Sequence, residues 1–225
     1  MTMVRRNHGS GHLLADWLGL HGLSVAQCRQ ILRRAATLPH DIAHPSRIPA
    51  INGEDAWQMA ATAMTQLFPF ATDLIDRTRT RTRRSFLVTA TRPFTISGAA
   101  NAPPLVRLAW RGRAADLLVV AHEFGHAVQA TAVGSAFIPP VNREICAFVA
   151  EHALLKTLGP RNRDLCARVL PAWNAANDIY VRRCGHKLRA ALDDPRARYH
   201  YDWNYPVARG LAADLFTALD PNRLF

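Results

Sequence analysis

The run His122-Glu123-Phe124-Gly125-His126 holds residue types that could do chemistry together. On a helix its two histidines fall one turn apart, so both imidazoles project from one face and can share a metal ion. Glu123 is offset by about a third of a turn, which lets it reach a water beside that ion instead of the ion itself. Neutral imidazoles suit a borderline cation, and one zinc ion is the expected cofactor. Gly125 leaves room for another element to approach closely.

Glutamate is scarce, and its distribution extends the pattern. Besides Glu54, the glutamates are Glu123, Glu144 and Glu151. Glu144 and Glu151, in NREICAFVAEHALL, lie two helical turns apart and face the same way. On an otherwise apolar helix a carboxylate is costly to bury unless paired or bound to metal. One of the two can complete the ligand set while the other accepts a hydrogen bond from a ligand imidazole. Glu144 is the favoured ligand, with Glu151 behind it; the reverse assignment stays open.

These residues resemble the thimet oligopeptidase and oligoendopeptidase F family of zinc peptidases. PPLVRLAWRGRAADLLVVAHEFGHA is similar to that family's strand, turn and Asp-containing lead-in to an HExGH helix. EICAFVAEHALL is similar to its downstream glutamate helix, and YHYDWNYPVARG to its paired tyrosines. The likeness covers about residues 70–218. It implies a zincin-like metallopeptidase core that hydrolyses short or unfolded peptides. His122, His126 and Glu144 would hold zinc and Glu123 would act as general base. Tyr201, Tyr205 or His200 would stabilise the oxyanion, and the strand 105–110 would pair with an extended peptide. Two alternatives stand beside this reading. One is an HExxH regulatory protease acting on a DNA-binding repressor; the other is a non-catalytic zinc-binding protein.

The elements that must position these groups are mostly helical. Residues 12–38 read as two short helices, with Ser24 and Gln27 forming a capping box for the second. The pair has a faint helix-turn-helix character, although a hairpin packed on the core is the better-supported outcome. Residues 53–68 carry apolar side chains at helical spacing. The strictly alternating RTRTRTRR (77–84) reads as a strand on the edge of a sheet. Further strands are expected at 86–91 and 105–110. Helices follow over 114–132, 141–158 (stopped by Gly159-Pro160), 162–191 (interrupted at Pro171) and 206–218. The expected fold is mainly α with a small β-sheet, in one domain spanning 1–225 with residues 1–50 as an N-terminal helical segment.

The bulk properties fit this picture. The chain has 225 residues and a net charge of +11, carried almost wholly by arginine. Such charge favours acidic partners, so a carboxylate-bearing peptide is the first substrate to consider and nucleic acid a less favoured partner. No apolar run approaches the ~20 residues of a membrane span, and the first twenty residues lack the pattern of a secretory signal. A cytoplasmic location is expected. Cys28, Cys146, Cys166 and Cys184 form no CxxC pair and read as reduced thiols.

Overall fold

A computed structural model describes residues 12–41, 46–48, 51–89, 93–96 and 102–219. The sequence before residue 12, part of the 39–50 link, and the end of the expected 86–91 strand lie outside the described residues. The chain is mainly α with a three-stranded mixed sheet.

Two helices form the centre. α5 (Ala114–Val133) is apolar around most of its circumference and is therefore sunk in the core, with Leu117, Val120, Ala121, Phe124 and Ala127 fully buried. Asp116 starts it by accepting hydrogen bonds from the Arg111 and Arg113 amides (2.7 and 3.0 Å). α6 (Pro140–Arg161) crosses α5 at Gly125. A Cβ there would lie 2.6 Å from the Cys146 carbonyl oxygen and 2.7 Å from the Ala147 Cα, so only glycine admits this approach. Cys146 Sγ faces the same crossing and donates to the Gly125 carbonyl (3.2 Å).

Other helices cover this pair. α3 (Gly53–Leu67) buries Trp57 edge-on against Phe124, with ring centroids 4.7 Å apart. Burying side chains of this size is worth about 1.5–3 kcal/mol each. α9 (Asn204–Leu219) lies along α6 and is backed by α2 (Val25–Ala35). α1 (Leu14–His21) follows its own course onto the core, burying Leu14 and Trp17, the latter edge-on against Trp203. The α2 stripe Cys28, Ile31, Leu32 and Ala35 is buried, while Arg29 and Arg34 pair outward with Asp193 and Asp214. The Ser24–Gln27 capping box is present.

Four expectations are corrected. RTRTRT continues a helix, α4 (Thr72–Arg81), and a strand begins only at Arg83. Ile75 and Thr78 face the core there. The threonine hydroxyls satisfy themselves on carbonyls one turn back, Thr78 on Leu74 and Thr80 on Asp76 (both 2.8 Å), and Arg79 pairs with Asp76. The stop at Gly159-Pro160 comes early: α6 runs to Arg161, with the proline in its last turn, and Asn162 then caps α7 (Arg163–Asn177). Pro171 does not interrupt α7, because Leu165, Val169, Trp173 and Asn177 form one buried stripe across it. The helix changes instead at Asp178–Arg183, a π-helical segment ahead of α8 (Cys184–Leu192). Finally, the strand near 105–110 is not an available edge.

That strand, β3 (Leu105–Ala109), is the centre of the sheet. It pairs in parallel with β1 (Arg83–Leu87) and antiparallel with β2 (Phe94–Ile96). Val106 and Leu108 point into the core, and β2 forms the sheet edge beside α5. No helix among the described residues is long and apolar enough to cross a membrane. The four cysteines are free thiols.

Candidate metal centre

α5 and α6 bring His122, His126 and Glu144 together at their crossing, with one ligand atom from each lying within 4.8 Å of the others. Glu144 Oε2 sits 3.4 Å from His122 Nε2 and 3.8 Å from His126 Nε2. The group is almost closed to solvent. Glu144 Oε2 is buried with no hydrogen-bond partner among the described residues, a costly state for a carboxylate oxygen. Two nitrogens and one oxygen drawn together beside an unsatisfied carboxylate oxygen are a donor set that suits zinc, and the three residues line a cleft. These three residues could hold a metal ion.

The surrounding charges agree. Burial opposes protonation of His122, yet the pull of Glu144 and Glu151 outweighs it and raises its pKa to about 10. The position between the two carboxylates therefore favours positive charge. His126 is pushed down to about 3, chiefly by burial, which keeps its imidazole neutral with one ring nitrogen free to act as a ligand. Burial works against ionisation of Glu144 as well, but its histidine neighbours and Tyr201 hold it down at about 2.

Each glutamate has a distinct partner. Glu151 Oε1 accepts from His122 Nδ1 (2.8 Å), which fixes that imidazole with Nε2 toward Glu144. Glu151 thus stands behind the histidine, and Glu144 stands in the ligand group. Glu123 Oε2 accepts from Thr95 Oγ1 (2.6 Å) on β2, and its pKa is raised, with burial the largest cause.

No family model, no curated protein and no solved structure matches this chain. The functional reading therefore rests on the cleft itself.

That cleft has a volume of about 500 Å3 and opens between the α5–α6 crossing, β2 and the tyrosines that follow α8. Tyr201 lies in it and donates to Glu144 Oε1 (2.7 Å). Tyr205 also lines it, 5.6 Å from the Tyr201 ring. The segment is anchored by the buried Asn204, whose amide donates to Tyr199 Oη and the Tyr201 carbonyl (both 2.7 Å) while accepting from Trp17 Nε1 (2.9 Å). Burial, with the Glu144 charge next, raises the pKa of both Tyr201 and Tyr205, so both phenols keep their protons. His200 is not brought to the cleft. It caps the short turn Tyr201–Trp203, its ring accepting from the Asp202 amide (3.2 Å), and it is more than half exposed.

The structure adds groups that the sequence reading missed. Tyr180, delivered by the π-helical segment, lies nearly parallel to His122 (interplanar angle 9°) and lines the cleft. With it, three of the four tyrosines reach the cleft, a concentration visible only after folding. Thr95 has no signal in the sequence. Arg209 had one: a single arginine within the apolar stretch of α9, as odd there as the glutamates are on α6. Arg143 is exposed at the cleft and is the lysine or arginine among its described lining residues.

Proposed function

We propose that this chain is a zinc-dependent peptide hydrolase. The observation that carries the reading is the buried, unpartnered Glu144 Oε2 facing two imidazole Nε2 atoms, with a second carboxylate, Glu123, beside them on the cleft wall. His122, His126 and Glu144 would hold the ion. When bound, zinc supplies Lewis acidity toward a carbonyl oxygen and makes a water more acidic.

The chain's own groups account for the rest. Glu123 accepts a proton from the attacking water and passes it to the departing amine. Its raised pKa suits a group that must both take and return a proton, and Thr95 holds the carboxylate in place. Tyr205 and Tyr180 present protonated phenols as donors to a developing oxyanion, a role commonly worth about 3–4 kcal/mol. Tyr201, bound to Glu144, steadies the ligand. The edge strand β2, not β3, is where an extended peptide can add its backbone to the sheet. Arg143 at the cleft makes peptides with acidic residues or a free C-terminal carboxylate the first to try. The motif likeness to thimet oligopeptidase and oligoendopeptidase F belongs to this same proposal.

The test is metal analysis of the purified protein together with a library of quenched peptides. The wild type is expected to carry one zinc and to cut a subset of the library. Glu123→Gln is expected to keep the metal and lose about 10²–10⁴-fold in turnover. Turnover retained in that variant would refute the mechanism. Zinc uptake with no peptide cut would support a non-catalytic zinc protein instead.

A further inference from the structure

Glu151 does not stand alone behind His122. Its second oxygen, Oε2, is ion-paired with Nη1 of Arg209, and the guanidinium is fully buried. Arg209 is held at two of its three guanidinium nitrogens, Nη2 being buried without a hydrogen-bond partner among the described residues. Its Nε donates to Asn177 Oδ1 (2.8 Å), and Asn177 in turn donates to the Pro39 carbonyl (2.7 Å). The guanidinium carbon lies over the rings of both Phe148 and Trp173, 4.6 Å from each centroid, so two aromatic faces favour the cation.

A buried guanidinium is costly unless its pairing is close, and an apolar side chain would fill the same space at less cost. The arrangement makes sense through what it does to Glu151. A carboxylate that remains ionised can only accept hydrogen bonds. Glu151 Oε1 therefore engages the Nδ1 side of His122, and the ring turns Nε2, the atom it would offer an ion, toward Glu144. The arginine also neutralises the charge of Glu151, so the orienting group adds no net negative charge beside the ion.

We propose that Arg209 is a positioning residue for the metal centre. Paired with Glu151 and anchored on Asn177, it aims Glu151 Oε1 at His122 Nδ1 and so fixes the lone pair that His122 offers to the ion. The inference rests on the reading of His122, His126 and Glu144 as a metal site, but not on peptide hydrolysis. It places a determinant of metal affinity on α9, two helices away from the HEFGH run.

The experiment measures zinc affinity by competition with a chromophoric chelator and the visible absorption of the cobalt(II)-substituted protein. The variants are Arg209→Met, Arg209→Lys, Glu151→Gln and the double variant Arg209→Met/Glu151→Gln, each checked for fold by circular dichroism. Arg209→Met is expected to weaken zinc about 10–100-fold and to alter the cobalt spectrum. Arg209→Lys, which keeps the charge but cannot reach Glu151 and Asn177 together, is expected to recover part of that loss. Because Arg209 acts through Glu151, the double variant should bind zinc no more weakly than the weaker single variant. Wild-type affinity and spectrum in a folded Arg209→Met would overturn the proposal, as would full additivity of the two losses. Should Arg209→Met fail to fold, Arg209→Lys decides: affinity equal to wild type overturns the proposal and a several-fold loss supports it. A wild type that takes up no metal would defeat the reading of the site itself, and this inference with it.

Discussion

Replacing Gly125 by alanine tests the helix crossing on which the whole centre depends. In an isolated helix this change would stabilise by about 1 kcal/mol. Here the added methyl carbon would lie 2.6 Å from the Cys146 carbonyl oxygen and 2.7 Å from the Ala147 Cα, both backbone atoms that no rotamer change can move. The shortfall from an ordinary carbon contact is about 0.8 Å. α5 and α6 must therefore separate or shift, at a cost of about 1–3 kcal/mol for overpacking. Net destabilisation of roughly 0–2 kcal/mol follows once the helix preference is set against it. The metal should feel more than the fold does. His122 and His126 ride on α5 and Glu144 on α6, and metal–ligand distances tolerate only about 0.2 Å of error. Zinc affinity is expected to fall by about tenfold or more, read by chelator competition, while thermal unfolding in EDTA changes by only a few degrees. An alanine variant that is more stable than wild type and binds zinc equally well would show that this crossing does not set the ligand spacing.

Other outcomes follow from the same geometry. Zinc at about 100 times its Kd adds about 2.7 kcal/mol to stability, so chelation should lower Tm by about 5–10 °C in a chain of this size; an unchanged Tm in calorimetry would argue against a bound metal. Tyr201→Phe removes the hydrogen bond to Glu144, and hydrogen bonds to charged groups are worth about 1.5–3 kcal/mol. It should weaken zinc by about tenfold with the fold intact, and unaltered affinity would detach Tyr201 from the centre. Acid should destabilise the metal-free protein through His21 and His152. Burial lowers them from 6.5 to about 4 and about 3, so the unfolded chain binds their protons first and stability falls as pH drops below 6.5. Glu144 acts in the same direction at still lower pH, whereas the raised pKa of His122 contributes most below 6.5 and fades only as pH rises toward about 10. A Tm that stays level between about pH 7 and pH 4 would contradict this assignment.

Much of the centre was legible in the sequence because helices repeat. The spacing of His122 and His126, and of Glu144 and Glu151, follows from the turn of a helix, and glutamates on an apolar face announced a buried polar cluster. Ser24 with Gln27 gave one helix start for the same local reason. Where local pattern met tertiary packing, packing won. RTRTRT has the period of a strand, yet Ile75 and Thr78 needed a core-facing helix. Pro171 carries a stop signal, yet a buried stripe runs across it. Sheet order was hidden for a different reason. Nothing local tells β3 that it will be flanked on both sides, so the edge passed to β2, a three-residue strand with Thr95 at its middle. Arg209 and Tyr180 reach the centre only through long-range folding. Their meaning lies in Glu151, 58 residues away, for Arg209 and in a π-helical turn for Tyr180.

Asn204 ties the tyrosine segment to Trp17 on α1, and Arg209 ties α9 to Glu151. The histidines are thus made early and their supports late. A ribosome that has just delivered HEFGH holds a chain with both imidazoles but without the phenol for Glu144 or the cation for Glu151. If Arg209 positions the ligands as proposed, the group takes its final geometry only when α9 has emerged and docked. The order of synthesis therefore defers the completed centre until the surrounding fold exists to enclose it.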